Sequence, residues 1–507
     1  MKILKVHNKA GIIYSVFFLI VTFLVVFSLE MNTPINHDEH QFIAGAKLLS
    51  SKLMLPYSSF PFYQLPNILL VYSIIFSFTS YLLLGARTFS VICAFIVLLM
   101  MYLTALKVFK DKNRILKYII ASFSVFLMVS NPVFIYSFGK AWNHDLPLLL
   151  TILSMACLFK LIEKQSARYS FLSGFLACFA ICTRISFAPV IFPFLFCVLA
   201  FPKTGNIRKT LRLLTYFIFG AFISAIPTLV LFINAPEQFV FYVYKFHLGV
   251  DVQYLQSIGW HTPFRYRIEY FIREIAEPRN LTVTFTGLVF ILWAGLYCLR
   301  RRINITRLKI IILIIPFLVM GSIIKPIVFY QYFYAPLPFI ILGAVYGISY
   351  LKDKLQHYSI LLFIFIAGIS IYSGGSEFWR VNKLHNPQLW TTVEFHNYGC
   401  EISKYTGKGK VLTLSPLFVL EGGAGIYSEF CSSPFTWRTS ELVNPAMRKK
   451  MKIISKTDLD EFLRNDPPVA ILTGFESGLE GMFIKWGKDN GYVNVPLSQQ
   501  KLMIRKK

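Results

Sequence analysis

From Gly11 to Leu29 the chain reads GIIYSVFFLIVTFLVVFSL, an uncharged run long enough, as a helix, to cross the hydrocarbon core of a bilayer. Comparable runs recur as far as residue 373. Such segments need lipid as solvent, because a chain that is 55% hydrophobic and 15% charged has more apolar surface than one soluble core can absorb. The first run lacks a small-residue cleavage site and reads as an uncleaved span rather than a signal peptide. Eleven spans are predicted, at 11–29, 88–106, 115–133, 145–162, 170–183, 187–201, 213–234, 281–299, 310–324, 328–350 and 358–373. The net charge of +26 reads as membrane topology, not as nucleic-acid binding.

One apolar run, Pro66 to Leu84, is left out of that set on charge. Without it, the loops on the N-terminal side hold 22 Lys and Arg against 11 in the opposite loops, and the tail holds the remaining 18 of 51. If it crossed, the bias would reverse to 12 against 21. The positive-inside rule therefore predicts a segment lying at the outer surface, a cytoplasmic N-terminus and an outer tail. Residues 1–373 form the expected membrane domain, with a first outer loop at 30–87 and a second at 235–280. Residues 374–507 form an outer module, in which GKVLTLSPLFVLEGG and PPVAILTGF read as strands. TDLDEFLRN between them reads as a short helix capped by Thr457 or Asp458, which together suggest a small α/β domain. Cys93, Cys157, Cys178, Cys182, Cys197 and Cys298 sit in apolar runs as packing residues and give no zinc site. Cys400 and Cys431 could pair if the tail is oxidised.

Carboxylates are scarce, with twelve in the first 373 residues. Asp38 and Glu39 stand in INHDEHQF, between His37 and His40, just outside the first span. Asp145 opens the fourth span in KAWNHDLPLLL, behind Lys140 and His144. Read blandly, these are solvated helix ends, and Asp145 before Pro147 is an ordinary acidic cap. Arg87, Arg184 in CTRISFAP and Lys325 in IIKPIVFYQYFYAP add cations on the same predicted face, each individually a common interfacial anchor. Together, acids and guanidinium groups at one face suit a reaction in which a lipid phosphate leaves while a carboxylate takes a proton. Aromatic residues in LPYSSFPFYQLPN would lie along the lipid, or form an aromatic belt.

The DE pair, LPYSSFPFYQLPN, the apolar outer segment and ARTFSVICAFIVLLMMYLTALKVF, followed by WNHDLPLLL, SGFLACFAICTRISFAPVIFP and YQYFYAPLPFI, resemble the polytopic GT-C glycosyltransferases. Within that superfamily the likeness is to the group of protein O-mannosyltransferases and lipid A aminoarabinose transferases. The resemblance implies a GT-C-like membrane fold, with Asp38 as the catalytic carboxylate, Arg87 as a basic residue at the start of the second span and Asp145 as the second acidic site. It also implies that segment 66–84 is a membrane-surface helix. The chain departs from the pattern at Gln64-Leu65-Pro66-Asn67, where relatives often carry Lys-Pro-Pro or His-Pro-Pro, so phosphate contact must fall to other cations.

The expected function is transfer of a sugar from a polyprenyl-phosphate-linked donor to a glycan, lipid or protein acceptor at the outer face of the cytoplasmic membrane. Asp38 is the expected general base, Glu39 and Asp145 orient it or the acceptor, and Arg87 and Arg184 stabilise the departing phosphate. His144, Lys140 and Tyr332 complete the expected substrate-binding set. No cofactor is required and no Gly-rich nucleotide loop is present. His37, Asp38, Glu39, His40, His144 and Asp145 leave a divalent cation open as an alternative, although residues so close in a loop rarely all face one ion. Other classes of function are a transporter or lipid flippase, which would place ionisable groups at mid-membrane, and an assembly partner, for which Asp38 and Arg87 would be dispensable.

Overall fold

The computed structural model describes residues 2–112, 114–202, 205–260 and 263–505. Each of the eleven predicted runs falls mainly on helical residues. Among the described residues seven helices are long and apolar enough to cross a membrane: 9–31, 82–108, 145–164, 207–234, 306–323, 330–350 and 354–372. Four shorter apolar stretches, 115–129, 167–183, 185–200 and 287–300, account for the other four runs.

The first helix, α1 (Lys2–Met31), leads into α2 (His37–Lys52), α3 (Asn67–Ile75) and α4 (Leu82–Val108). The apolar run 66–84 is thus split. Its helical part, α3, has 9 residues, which at about 1.5 Å per residue falls far short of a hydrocarbon core of about 30 Å. The helix within this run is therefore shorter than the 66–84 expected. The next span also begins at Leu82 instead of residue 88, which places Arg87 in the second turn of a helix and not at its start.

Close helix packing uses glycine at one crossing in particular. Helices Ala167–Thr183 and Ile207–Asn234 approach so tightly that a Cβ on Gly174 would lie 1.9 Å from the Phe217 carbonyl oxygen, and one on Gly220 would lie 2.1 Å from that of Phe171. Small residues permit such contact where lipid supplies no hydrophobic drive between helices. The Ser170 hydroxyl adds a 2.6 Å hydrogen bond to the Leu213 carbonyl at the same crossing.

The tail carries a five-stranded sheet of order β2-β1-β3-β5-β4, built from β1 (Lys410–Leu412), β2 (Gly425–Ile426), β3 (Ala470–Thr473), β4 (Tyr492–Val495) and β5 (Lys501–Arg505). β1 runs parallel to β2 and β3, and β5 runs antiparallel to β3 and β4. The run GKVLTLSPLFVLEGG is only partly strand, because Pro416 opens a helix over Pro416–Glu421. Asp458 occupies the N-cap position of Leu459–Asn465, but makes no side-chain cap. Its carboxylate instead accepts from Arg448 Nε at 2.9 Å. Cys400 and Cys431 are both free.

The tail is bolted to the first loop and to the start of α4. Glu421 Oε1 accepts the Leu83 N–H at 2.6 Å, a carboxylate from the tail at the N-terminus of α4. Its Oε2 meets His396 Nδ1 at 2.8 Å, and Tyr81 stacks on that imidazole at 3.8 Å. Ser432 donates to the Pro61 carbonyl at 2.6 Å, and Tyr63 donates to Thr436 at 3.1 Å.

Candidate active site

The site is built from the N-terminus of α2. Asn36 caps that helix and forms a capping box with Glu39: its side chain accepts the Asp38 N–H at 2.9 Å while Glu39 Oε2 accepts the Asn36 N–H at 3.0 Å. This fixes Asp38 and Glu39 on adjacent positions of the first turn, so they cannot face the same way.

Glu39 points inward. Arg87 donates to it through Nε at 2.8 Å and Nη2 at 2.7 Å, and the Ala141 N–H donates to Oε1 at 2.9 Å. With Asn36, all four lone-pair positions of the carboxylate are filled. The Arg87 charge and these hydrogen bonds hold Glu39 below the usual carboxylate range in spite of its burial. Arg87 is fully buried, and its remaining donors go to the carbonyls of Glu30 at 3.0 Å, Thr33 at 2.7 Å and Pro34 at 3.2 Å. Expected to bind phosphate, Arg87 has no donor left for one. It locks the first loop onto α4.

Asp145 is also committed. Its Oδ2 accepts the Gly139 N–H at 2.8 Å and its Oδ1 accepts the Tyr334 hydroxyl at 2.7 Å, with 1% of the residue exposed. It therefore ties the turn 139–144 to the segment Tyr330–Tyr334. Gly139 adopts φ +74, and a Cβ there would lie 2.6 Å from Glu30 Cγ. Lys140, 5% exposed, stands 3.8 Å from Glu30 and lies over the rings of Tyr136 and Trp142.

Asp38 differs from its neighbours. It is half-buried, and its one close ionic partner among the described residues is His37, at 3.7 Å. Burial raises its carboxyl above the usual range, against the pull of His37, Arg438 and Arg184. Of the acids singled out from the sequence, this is the one whose oxygens are not consumed by the protein.

Arg184 ends helix Ala167–Thr183 and donates through Nη1 to Asn143 Oδ1 at 2.6 Å and to His144 Nε2 at 2.9 Å. Since arginine cannot accept, His144 receives this bond as a neutral imidazole. Burial and the cations Arg184, Lys325 and Lys140 push its pKa well down. Arg184 and Lys325 both lie over the ring of Tyr332, at 4.9 and 5.0 Å. Burial, with Arg184 alongside, lowers Lys325 to about 7. Buried Arg184 and half-buried Lys325 flank one aromatic ring, and the Lys325 ammonium makes no hydrogen bond among the described residues, so the two form an unneutralised positive pocket beside Asp38. His144, Arg184, Ser186, Tyr332 and Tyr334 line a narrow crevice at this point. A larger cavity of about 620 Å³ is lined by Thr33 to Asn36, Tyr136, Lys140, Glu274 and Tyr330.

The site has members that the sequence reading did not name. Arg438, from the tail, pairs with Asp251 at 3.1 Å and is packed against the rings of Tyr254 and Phe435. Asp251 follows a π-helix, Phe241–Val250, whose His247 contacts the Tyr63 carbonyl at 2.6 Å. The wider turn of a π-helix carries an extra residue per hydrogen-bonded loop, a form frequent at functional sites. No local motif marks Arg438 or Asp251. His40, a candidate metal ligand, is instead packed between Phe418 and Phe475, and its Nδ1 accepts the Leu417 N–H at 3.2 Å. Among the described residues no three His, Cys, Asp or Glu side chains gather in a way that could hold a metal ion.

Residues 67–230 match the family described as dolichyl-phosphate-mannose-protein mannosyltransferase. No curated protein matches the chain. Among solved structures, ArnT from Cupriavidus metallidurans bound to undecaprenyl phosphate is similar over 97% of both chains, with a TM-score of 0.63 and 10% identity. The apo form of that protein matches over 97% of this chain and 98% of its own, with a TM-score of 0.59 and 11% identity. The fold is the GT-C fold. The oligosaccharyltransferase of Archaeoglobus fulgidus shares it over 94% of this chain and 72% of its own, with a TM-score of 0.53 and 11% identity. Within this GT-C fold, the acids and cations described above gather on the side that carries the C-terminal sheet.

Proposed function

We propose that this protein is a membrane glycosyltransferase that moves a sugar from a polyprenyl-phosphate-linked donor to a hydroxyl-bearing acceptor. The observation that carries the reading is the pairing of one uncommitted carboxylate, Asp38, with the unneutralised Arg184, Lys325 and Tyr332 pocket. ArnT, similar in fold along nearly its whole length, is a protein whose structure holds undecaprenyl phosphate. The family matched over 67–230 is named for dolichyl-phosphate mannose.

In the reaction, the bond from the anomeric carbon to the phosphate oxygen breaks, and its electron pair leaves with the polyprenyl phosphate. Arg184 and Lys325 offset the charge that grows on that phosphate, and the Tyr332 hydroxyl lies beside Arg184 to share the contact. The acceptor oxygen forms the new bond to the anomeric carbon and gives its proton to Asp38. A carboxylate whose pKa is raised by burial is a stronger base than an exposed one. Glu39, Arg87 and Asp145 are positioning residues: they fix the first turn of α2, the 139–144 turn and the Tyr330–Tyr334 segment, and do not touch substrate.

The side bearing the sheet is the outer face of the cytoplasmic membrane, on the strength of the Lys and Arg distribution. A lipid-linked donor can be presented there, whereas nucleotide sugars remain in the cytoplasm. No step in this scheme calls for a cofactor. The deciding experiment is turnover of a polyprenyl-phosphate-linked sugar by Asp38→Asn. Loss of transfer with an unchanged melting temperature is the expected result, and normal turnover would refute the assignment.

A further inference from the structure

The helix Phe264–Ala276 has no buried residue, yet it is not a polar helix. Phe264, Ile268, Ile272 and Ile275 follow i, i+4, i+8 and i+11 spacing and share one face, while Arg265, Glu269 and Arg273 occupy another. Phe264 is 54% and Ile272 is 58% exposed. An apolar stripe of this kind is costly in water and suits the boundary between head groups and acyl chains. The helix also runs directly into Pro278–Arg300, an apolar helix of the membrane domain, so its place in the chain puts it at the membrane surface.

The border of the stripe faces the protein. Tyr270 and Phe271 pack on Phe333 at 6.1 and 5.0 Å. Arg267 lies on the same side, and its Nη1 donates to three successive carbonyls, those of Ile323 at 3.2 Å, Ile324 at 2.9 Å and Lys325 at 2.8 Å. These belong to the end of helix Thr306–Ile323 and the turn that follows, where carbonyls have no helical partner and a guanidinium complements the helix dipole. Lys325 starts the connection to the Tyr330–Tyr334 segment, and its side chain reaches the Tyr332 ring. The backbone that aims this cation is thus held by a residue of the surface helix.

We infer that helix Phe264–Ala276 lies along the lipid surface and that Arg267 is a positioning residue which, by gripping the backbone at 323–325, aims Lys325 at the phosphate of the lipid-linked donor. The inference rests on the phosphate-binding role given to Lys325 above. It ties the surface on which the donor's lipid lies to the cation that meets the donor's phosphate.

The test is titration of the purified protein in nanodiscs with undecaprenyl phosphate, using Arg267→Gln, Arg267→Lys, Lys325→Ala and the double variant Arg267→Gln/Lys325→Ala. Lys325→Ala should weaken binding by about tenfold or more, the scale of one lost charge-assisted contact. Arg267→Gln should weaken it by a similar factor, Arg267→Lys should retain most of the affinity, and the double variant should be no weaker than Lys325→Ala, because Arg267 acts through that residue. A fluorophore on Ile272→Cys should be quenched by brominated lipid. Wild-type affinity in Arg267→Gln beside a weakened Lys325→Ala would overturn the inference alone, as would losses that multiply in the double variant or a label that lipid does not quench. Wild-type affinity in Lys325→Ala would overturn the phosphate assignment as well.

Discussion

Arg87 grips both oxygens of Glu39, at 2.8 and 2.7 Å, in a pair from which water is wholly excluded. The sequence neighbour of Glu39, Asp38, is half-buried and among the described residues has no comparable partner, with only His37 at 3.7 Å. Adjacent acids thus have opposite duties, and substitution should separate them. Glu39→Gln removes the closer of two counterions and leaves the buried Arg87 charge only Glu30, at 3.5 Å, at a cost of about 3–5 kcal/mol. A large fall in melting temperature in detergent, or failure to accumulate folded protein, is the expected outcome.

Asp38→Asn should behave in the opposite way. The side chain is half-buried and its ionic contact is with a partly exposed His37, so stability should change little. Loss of a general base costs roughly 10²–10⁴-fold in turnover. Side-by-side measurement of melting and of sugar transfer in the two variants tests both roles. A destabilised Asp38→Asn would mean that the residue is structural.

The pH dependence follows from the two groups that must carry charge. Asp38 has to be ionised to accept a proton, and burial raises its pKa, so kcat/KM should climb as pH rises through the raised carboxyl value. Lys325 has to be protonated to meet phosphate, and burial beside Arg184 lowers it to about 7. The profile for the free enzyme should therefore fall above about pH 7. Lys325→Arg, which stays charged, should shift the falling limb to higher pH and leave the rising limb in place. The rates of the wild type and of Lys325→Arg across pH 5–9 would show this, and an unmoved falling limb would exclude Lys325 as its source.

Much of this was legible in the sequence, and the misses have physical reasons. Long apolar runs declare their helices because lipid admits no alternative that satisfies the backbone. The scarcity of acids drew attention to Asp38, Glu39 and Asp145, since a charge near a membrane needs a reason to be there. What the sequence could not tell was which of them are consumed by the protein. Arg87 looked like a phosphate ligand, but starting α4 at Leu82 buries it among the carbonyls of Glu30, Thr33 and Pro34. Arg438 and Asp251 are 187 residues apart and come together only when the tail docks, a contact that no local pattern encodes. Likewise Pro416 turned an apparent strand into a helix, because a run of apolar residues in the tail does not reveal its period.

Tyr334 gives a test of the positioning network. Tyr334→Phe removes the donor to Asp145 Oδ1 and leaves that oxygen buried and unpaired, at a cost of about 1–3 kcal/mol. Because Asp145 also holds the Gly139 N–H at 2.8 Å, the 139–144 turn that carries Lys140 and His144 should loosen. Turnover should fall more than stability alone explains, while undecaprenyl phosphate should still bind through Lys325. Binding and turnover that drop in parallel would place Tyr334 in the substrate contact instead.

Orientation can be settled with the exposed lysines on opposite sides of the chain's charge map. Lys110 follows α4 in a loop assigned to the cytoplasm because that assignment gives cytoplasmic loops 22 of the Lys and Arg residues against 11 outside. Lys456 sits in the tail. With the native cysteines replaced, a membrane-impermeant maleimide added to intact cells should label Lys456→Cys and spare Lys110→Cys until the cells are opened. The reverse pattern would invert the whole molecule and put Asp38, Arg184 and Lys325 on the cytoplasmic side, where a flipped lipid-linked donor would no longer be required. The labelling therefore bears on the substrate class as much as on topology.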